Sequence, residues 1–132
     1  MARGATSWRN WGRNQRCVPA AVTDPQSEVE VVEAVLAART AGQTVKAVGS
    51  GHSFTDVACT EGRMLRLGEL DRVVALDREA CTVTVEAGIP LWKLNQELAR
   101  RGLALTNLGD IDRQTQRNGG HNNAGRMFRS WQ

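Results

Sequence analysis

No apolar run in the 132 residues approaches the ~20 that cross a bilayer. The opening Met1-Ala-Arg-Gly-Ala-Thr-Ser-Trp8 also lacks the apolar core of a secretory leader. These two absences predict a soluble, cytoplasmic protein without a membrane partner. Cysteine is scarce: Cys17, Cys59 and Cys81 are an odd set with no Cys-x-x-Cys spacing. That spacing argues against a disulfide framework and against a zinc site, so reduced thiols and no bound metal are expected. Acid is missing from both ends, since residues 1–16 and 113–132 each carry four arginines and no Asp or Glu. The formal net charge of +3 therefore belongs to the termini, because the stretch between them sets nine Lys and Arg against fourteen Asp and Glu. No basic helix face and no interleaving of basic and aromatic residues appears there, which argues against a nucleic-acid partner. The length suits one domain with a modest core, or a piece of something larger.

Between the two basic ends, residues 17–112 carry the pattern of an α+β fold: a β-α-β opening, then a small mixed sheet with two packed helices. Pro19 makes Cys17–Val22 an edge strand or an entry segment. Ser27 and Glu30 read as a capping box, followed by an apolar stripe of Val29, Val32, Val35 and Leu36 expected to face a sheet. Glu28, Glu30 and Glu33 suit the positive end of that helix, and Gly42 stops it. Short strands are expected at Thr44–Val48, Met64–Leu67, Val73–Leu76 and Cys81–Glu86, the last two joined by a turn at Asp77–Ala80. Pro90 opens a second helix with a stripe of Leu91, Leu94 and Leu98; Gly102 ends it before a short strand at Leu103–Leu105. Residues 1–16 read as a basic lead-in. The glycine-rich polar stretch over 113–132 has no period and reads as a disordered tail.

One segment carries chemistry. In Lys46-Ala-Val-Gly-Ser-Gly-His-Ser-Phe-Thr-Asp56 an apolar strand runs into a glycine-interrupted loop with a histidine and two hydroxyls. Glycines at 49 and 51 allow close backbone approach, so that consecutive N–H groups can converge on an anion such as a phosphate. A Rossmann fingerprint would need a third glycine opening a helix, and Phe54 stands there instead. A tight turn with no ligand fits the loop equally well. His52 reads either as a loop histidine bonded to a backbone carbonyl or as a group beside a bound ligand, and Asp56 either as a loop cap or as a ligand contact. Trp8 and Trp11 are expected to pack on the surface. Cys59 reads as a small buried apolar residue, and His121 is assigned no role.

Four stretches in order add a resemblance: Ser7-Trp-Arg-Asn-Trp-Gly-Arg-Asn-Gln-Arg-Cys17, Val48-Gly-Ser-Gly-His-Ser-Phe-Thr-Asp56, Val85-Glu-Ala-Gly88 with its following helix, and Leu105-Thr-Asn-Leu-Gly-Asp-Ile-Asp112. Together they resemble the N-terminal part of FAD-linked sugar-lactone and alditol oxidases of the vanillyl-alcohol oxidase (para-cresol methylhydroxylase) superfamily, in its gulonolactone, arabinonolactone and alditol branch. The resemblance implies FAD as cofactor and a loop that wraps its pyrophosphate. The residues so implicated are Gly49, Ser50, Gly51, His52, Ser53 and Phe54, with Gly109 and Asp110 lying along the flavin. It also implies a covalent bond from His52 to the flavin ring methyl: the electron-poor ring acidifies that methyl, and a neutral imidazole nitrogen can attack the quinone methide that results. No catalytic residue is assigned. The family's next small-residue motif is replaced here by Gln116-Arg-Asn-Gly-Gly-His-Asn-Asn123, and its second flavin-binding half, its substrate domain and its C-terminal His-Trp-x-Lys motif have no counterpart. The resemblance therefore implies a truncated copy of an oxidoreductase acting on sugar lactones or polyols, with the residues past about 115 out of the ancestral frame. The competing expectation is a non-catalytic nucleotide- or FAD-binding module, or a remnant completed by a partner chain.

Overall fold

A computed structural model describes residues 6–106 and, for the backbone alone, 127–129. The chain divides into two compact units, residues 1–69 and 70–132.

The first unit opens with a hairpin of two short antiparallel strands, β1 (Trp8–Arg9) and β2 (Arg16–Cys17). The β-α-β opening follows as β3 (Ala21–Thr23), α1 (Glu28–Thr40) and β4 (Val45–Val48). The two strands are not neighbours, because β5 (Arg63–Arg66) lies between them and pairs parallel with both in the order β3-β5-β4. The Pro19 segment thus leads into an edge strand. Met64 on β5 is fully buried and packs with Val48 and Ala58, against which Trp8, Cys17 and Val22 rest. Burying a side chain of that size stabilises the fold by about 1.5–3 kcal/mol.

Helix α1 starts and stops where its sequence dictates. Ser27 Oγ accepts the Glu30 N–H at 3.3 Å and Glu30 Oε2 accepts the Gln26 N–H at 2.7 Å, so the box reaches one residue further upstream than the usual pairing. At the other end Gly42 takes a φ of 63°, and the Gln43 N–H reaches the Ala38 carbonyl at 2.8 Å. The buried face is a correction. Ala34 and Ala38 are buried, whereas Val29, Val32, Val35 and Leu36 are 65, 51, 43 and 54 % exposed. At roughly 100° per residue Ala34 lies about 160° round the helix from Val32 and Leu36, so burying one set exposes the other. Small side chains one turn apart let the helix backbone come close to the sheet, and that approach selects the alanines.

Asp24 follows β3 and receives the Arg66 guanidinium, with Nε donating to Oδ1 at 2.7 Å. This hydrogen bond holds the Asp24 carboxyl below its ordinary 3.8. Its stabilisation is present above the ordinary value and is lost as pH falls through the lower folded one. Both side chains are about half exposed, which limits the pair to less than about 1 kcal/mol. Asp24→Asn should therefore shift the neutral-pH denaturation midpoint only slightly and make acid unfolding less steep. A loss of several kcal/mol at neutral pH would contradict this account.

The second unit begins with the hairpin of β6 (Val73–Asp77) and β7 (Thr82–Val85). Asp77 Oδ1 accepts the Glu79 and Ala80 N–H groups at 2.9 Å, which fixes the expected turn. Helix α2 (Leu91–Ala99) follows with Pro90 as its N-cap, and Gly102 closes it with a φ of 70°. Its expected stripe is the buried one: Leu91, Leu94 and Leu98 are each under 5 % exposed. Leu94 and Leu98 share a core with Ile89 and Leu103, and Val73, Leu76, Val83 and Val85 pack around it. Strand β8 (Leu103–Leu105) pairs antiparallel with β9 (Met127–Arg129). Three residues of the stretch expected to lack structure thus form a strand. Among the described residues the strands are distributed over four small sheets, and the class is α+β.

Candidate functional site

The glycine loop leaves the C-terminal end of β4, where Gly49 and Ser50 make a bend. Of the two glycines only Gly51 uses the left-handed region, with a φ of 71°. Its Cα also faces other groups closely: a Cβ there would stand 3.3 Å from Trp8 Cζ2 and 3.7 Å from the Trp11 nitrogen. Both the angle and the space favour glycine. Beyond it, Ser53 Oγ lies 3.0 Å from Thr55 Oγ1, and a single 3-10 turn at Asp56–Ala58 ends the loop. Asp56 closes that turn through its backbone carbonyl, which accepts the Cys59 N–H at 2.8 Å.

The basic lead-in grips this loop. Gly51 O accepts the Trp11 N–H at 2.8 Å. Asn10 is only 3 % exposed; its Nδ2 donates to Ser53 O at 2.9 Å and to Asn14 Oδ1 at 2.6 Å, while its Oδ1 accepts the Gln15 N–H at 3.0 Å. Asn14 Nδ2 donates to Phe54 O at 2.9 Å. Three loop carbonyls are thus turned toward the hairpin and held there. Asn10, Trp11 and Asn14 are site residues that sequence reasoning missed. The available signal was the turn-rich run Asn10-Trp-Gly-Arg-Asn14, in which Arg13 adopts a φ of 57°.

His52 is stacked on Trp11, with ring centroids 5.1 Å apart and planes at 22°. Phe54 meets Trp11 edge-on, with ring centroids 6.3 Å apart. Trp11 and Phe54 are 60 and 63 % exposed, so an aromatic surface stands beside the loop. The stack fixes the imidazole plane, yet His52 Nδ1 is buried and has no hydrogen-bond partner among the described residues. The carbonyl bond that an ordinary loop histidine would make is absent at this atom. A buried polar nitrogen left in this way costs about 1–3 kcal/mol and calls for a further occupant. Gly49 through Phe54 are therefore brought together on one loop, whereas Gly109 and Asp110 lie outside the described residues.

Solved structures share the fold. The chain superimposes on cholesterol oxidase from B. sterolicum with a TM-score of 0.77 at 20 % identity, covering 92 % of this chain and 24 % of that one. A solvent-stable cholesterol oxidase gives 0.73 at 24 % identity, over 85 and 22 % of the two chains. These likenesses show that the chain shares its fold with part of those two oxidases. A family model described as FAD binding domain matches residues 19–130, and the chain belongs to that family. FAD is accordingly its cofactor. L-gulono-1,4-lactone dehydrogenase of Mycobacterium tuberculosis is 46 % identical over 108 residues, which are 82 % of this chain and 25 % of that protein. L-gulonolactone oxidase of Bos taurus is 45 % identical over 104 residues, 79 and 24 % of the two. D-arabinono-1,4-lactone oxidase of Eremothecium gossypii is 40 % identical over 112 residues, 82 and 21 % of the two. The chain spans about a quarter of the length of these relatives. The family match also runs past residue 115, where the motif-level resemblance stops.

No described helix is long and apolar enough to cross a membrane. Among the described residues no cluster of His, Cys, Asp and Glu could hold a metal ion.

Proposed function

We propose that this chain is the FAD-binding part of an oxidoreductase that oxidises an alcohol carbon of a sugar lactone or polyol. The flavin supplies the hydride acceptor, whose electrons pass on to oxygen or another acceptor. The names and identities of the lactone dehydrogenase and oxidase relatives support that substrate class. Gly49, Ser50, Gly51 and Ser53 hold the diphosphate, Phe54 lends its ring to the wall of the site, and Gly109 and Asp110 lie along the flavin. His52 bonds covalently to the flavin ring methyl.

The observation that carries this reading is the orphaned His52 Nδ1, buried at the centre of a loop whose carbonyls are held away by the hairpin. An imidazole nitrogen with no competing hydrogen bond among the described residues is a nucleophile kept ready for one neighbour. The test is to express the chain with FAD and precipitate it with acid. The wild type should keep its yellow colour in the pellet, and His52→Ala should lose it almost completely while still binding flavin reversibly. An equally yellow, acid-resistant His52→Ala pellet would reject the covalent link.

Lactone turnover by the chain on its own is expected to be absent, because positioned groups must hold the sugar and take the hydroxyl proton. The relatives have three further quarters of chain in which to carry them. The exposed face of Val29, Val32, Val35 and Leu36 on α1 favours a second reading, in which the rest of the oxidase is supplied by a partner chain. Three cysteines without disulfides support placement in the cytoplasm.

A further inference from the structure

Trp11 is tied to the glycine loop twice, once through its backbone and once through its ring. Its N–H donates to the Gly51 carbonyl at 2.8 Å, directly before His52 in the chain. Its indole lies against the His52 imidazole with centroids 5.1 Å apart and planes 22° from parallel, and the Phe54 ring braces it edge-on. Gly12 leaves room for that brace, because a Cβ there would stand 2.9 Å from Phe54 Cε1. The indole is nevertheless 60 % exposed, so it adds little to the buried core. What it covers is the side chain whose buried Nδ1 has no hydrogen-bond partner among the described residues. We propose that Trp11 is the positioning residue for His52, holding the imidazole in the plane from which Nδ1 bonds to the flavin ring methyl. This role rests on the covalent His52–flavin bond.

The bond that Trp11 assists balances with dioxygen as oxidant. One C–H bond of the ring methyl and the imidazole N–H bond break, and one C–N bond forms. Attack by Nδ1 uses its lone pair, so the imidazole proton sits on Nε2 and leaves once the bond is made. The two electrons released pass through the flavin to dioxygen, which takes up two protons and departs as hydrogen peroxide. Trp11 exchanges no proton in this sequence. Its stack removes rotation of the imidazole about the Cβ–Cγ bond, which favours bond formation over mere binding. Its ring face also stabilises the positive charge that the imidazole carries between attack and loss of the Nε2 proton. Both effects need a flat aromatic ring, and tryptophan supplies the strongest face. The loop itself does not depend on the indole, because the Gly51 carbonyl is held by the Trp11 backbone and the Ser53 and Phe54 carbonyls by Asn10 and Asn14.

To test this, the full chain and its Trp11→Ala, Trp11→Leu and Trp11→Phe variants are mixed with saturating FAD in air, and acid-stable flavin is followed with time. Trp11→Ala and Trp11→Leu should form it about tenfold more slowly than wild type, and Trp11→Phe within about threefold. FAD affinity, read in the His52→Ala background where no bond can form, should change less than about threefold on adding Trp11→Ala. Proton NMR of the flavin-free chain gives a second reading. The His52 ring signals, assigned by their loss in His52→Ala, should move downfield in Trp11→Ala as the indole ring current disappears, and stay nearer their wild-type positions in Trp11→Phe. Equal rates of acid-stable flavin formation in wild type and Trp11→Ala would overturn the role of Trp11 and leave the His52 bond standing. A Trp11→Leu variant as fast as Trp11→Phe would show that bulk alone matters, and unmoved His52 signals would show that the rings do not stack; either overturns the proposal. A wild type that forms no acid-stable flavin would instead remove the His52 bond, and the role of Trp11 with it.

Discussion

Gly62→Ala is expected to destabilise the first unit by about 3 kcal/mol or more, enough to leave much of the chain unfolded at physiological temperature. A Cβ at this position would stand 2.3 Å from the Thr44 carbonyl oxygen and 2.8 Å from the Thr44 nitrogen. Both are backbone atoms, and no rotamer change relieves the clash. The Thr44 carbonyl cannot retreat freely, because it already accepts the Arg63 N–H at 2.8 Å beside the first register pair of β4 and β5, Val45 with Arg63. Thr44 Oγ1 is tied in turn to Thr60 Oγ1 at 2.8 Å, and Thr60 Oγ1 accepts the Gly62 N–H at 3.0 Å. Separating Gly62 from Thr44 would unzip the pairing that aims β4 at the glycine loop. Denaturant titration checks this: the midpoint should fall sharply with the slope unchanged. A variant within about 1 kcal/mol of wild type would show that the neighbouring backbone yields.

Asn10→Ala should cost about 2–4 kcal/mol and reduce flavin uptake together with it. The truncation removes three hydrogen bonds at a residue that is almost fully buried, and it strands the Ser53 carbonyl and the Gln15 N–H. Leaving buried groups unpaired is more costly than the bonds were worth. The Ser53 carbonyl is the one next to His52, so freeing it loosens the segment whose imidazole is stacked on Trp11. Parallel measurements of denaturation midpoint and FAD fluorescence quenching would test both halves. If stability fell while flavin uptake stayed at the wild-type level, the hairpin would brace the fold without shaping the site.

The local features of this fold were legible. The limits of α1 were set by Ser27, Glu30 and Gly42, all within one turn of the ends they define. The leucine stripe of α2 is buried as its spacing predicts, because its three leucines share one face and, Trp92 and Ala99 aside, the other positions are polar. In α1 the apolar residues run almost all the way round, and spacing then allows two answers. The alanines Ala34 and Ala38 are the buried pair, and Val29, Val32, Val35 and Leu36 are the exposed set. Likewise the loop and His52 could be picked out from the order of glycine, hydroxyl and imidazole in the chain. The grip of Asn10, Asn14 and Trp11 on that loop could not, since two-residue strands leave no periodicity to detect.

Residue order alone was enough for the α+β class, for the positions of helix ends and hairpin turns, and for singling out the glycine loop as the candidate site. These follow from propensities and hydrogen bonds spanning three to five residues, which act before any distant segment arrives. The exposed face of α1, the placement of β5 between β3 and β4 and the burial of His52 Nδ1 came from folding in three dimensions. Each of those depends on which surfaces compete for the same small volume. That competition is settled by close packing between segments some forty residues apart, and no short window of the chain records it.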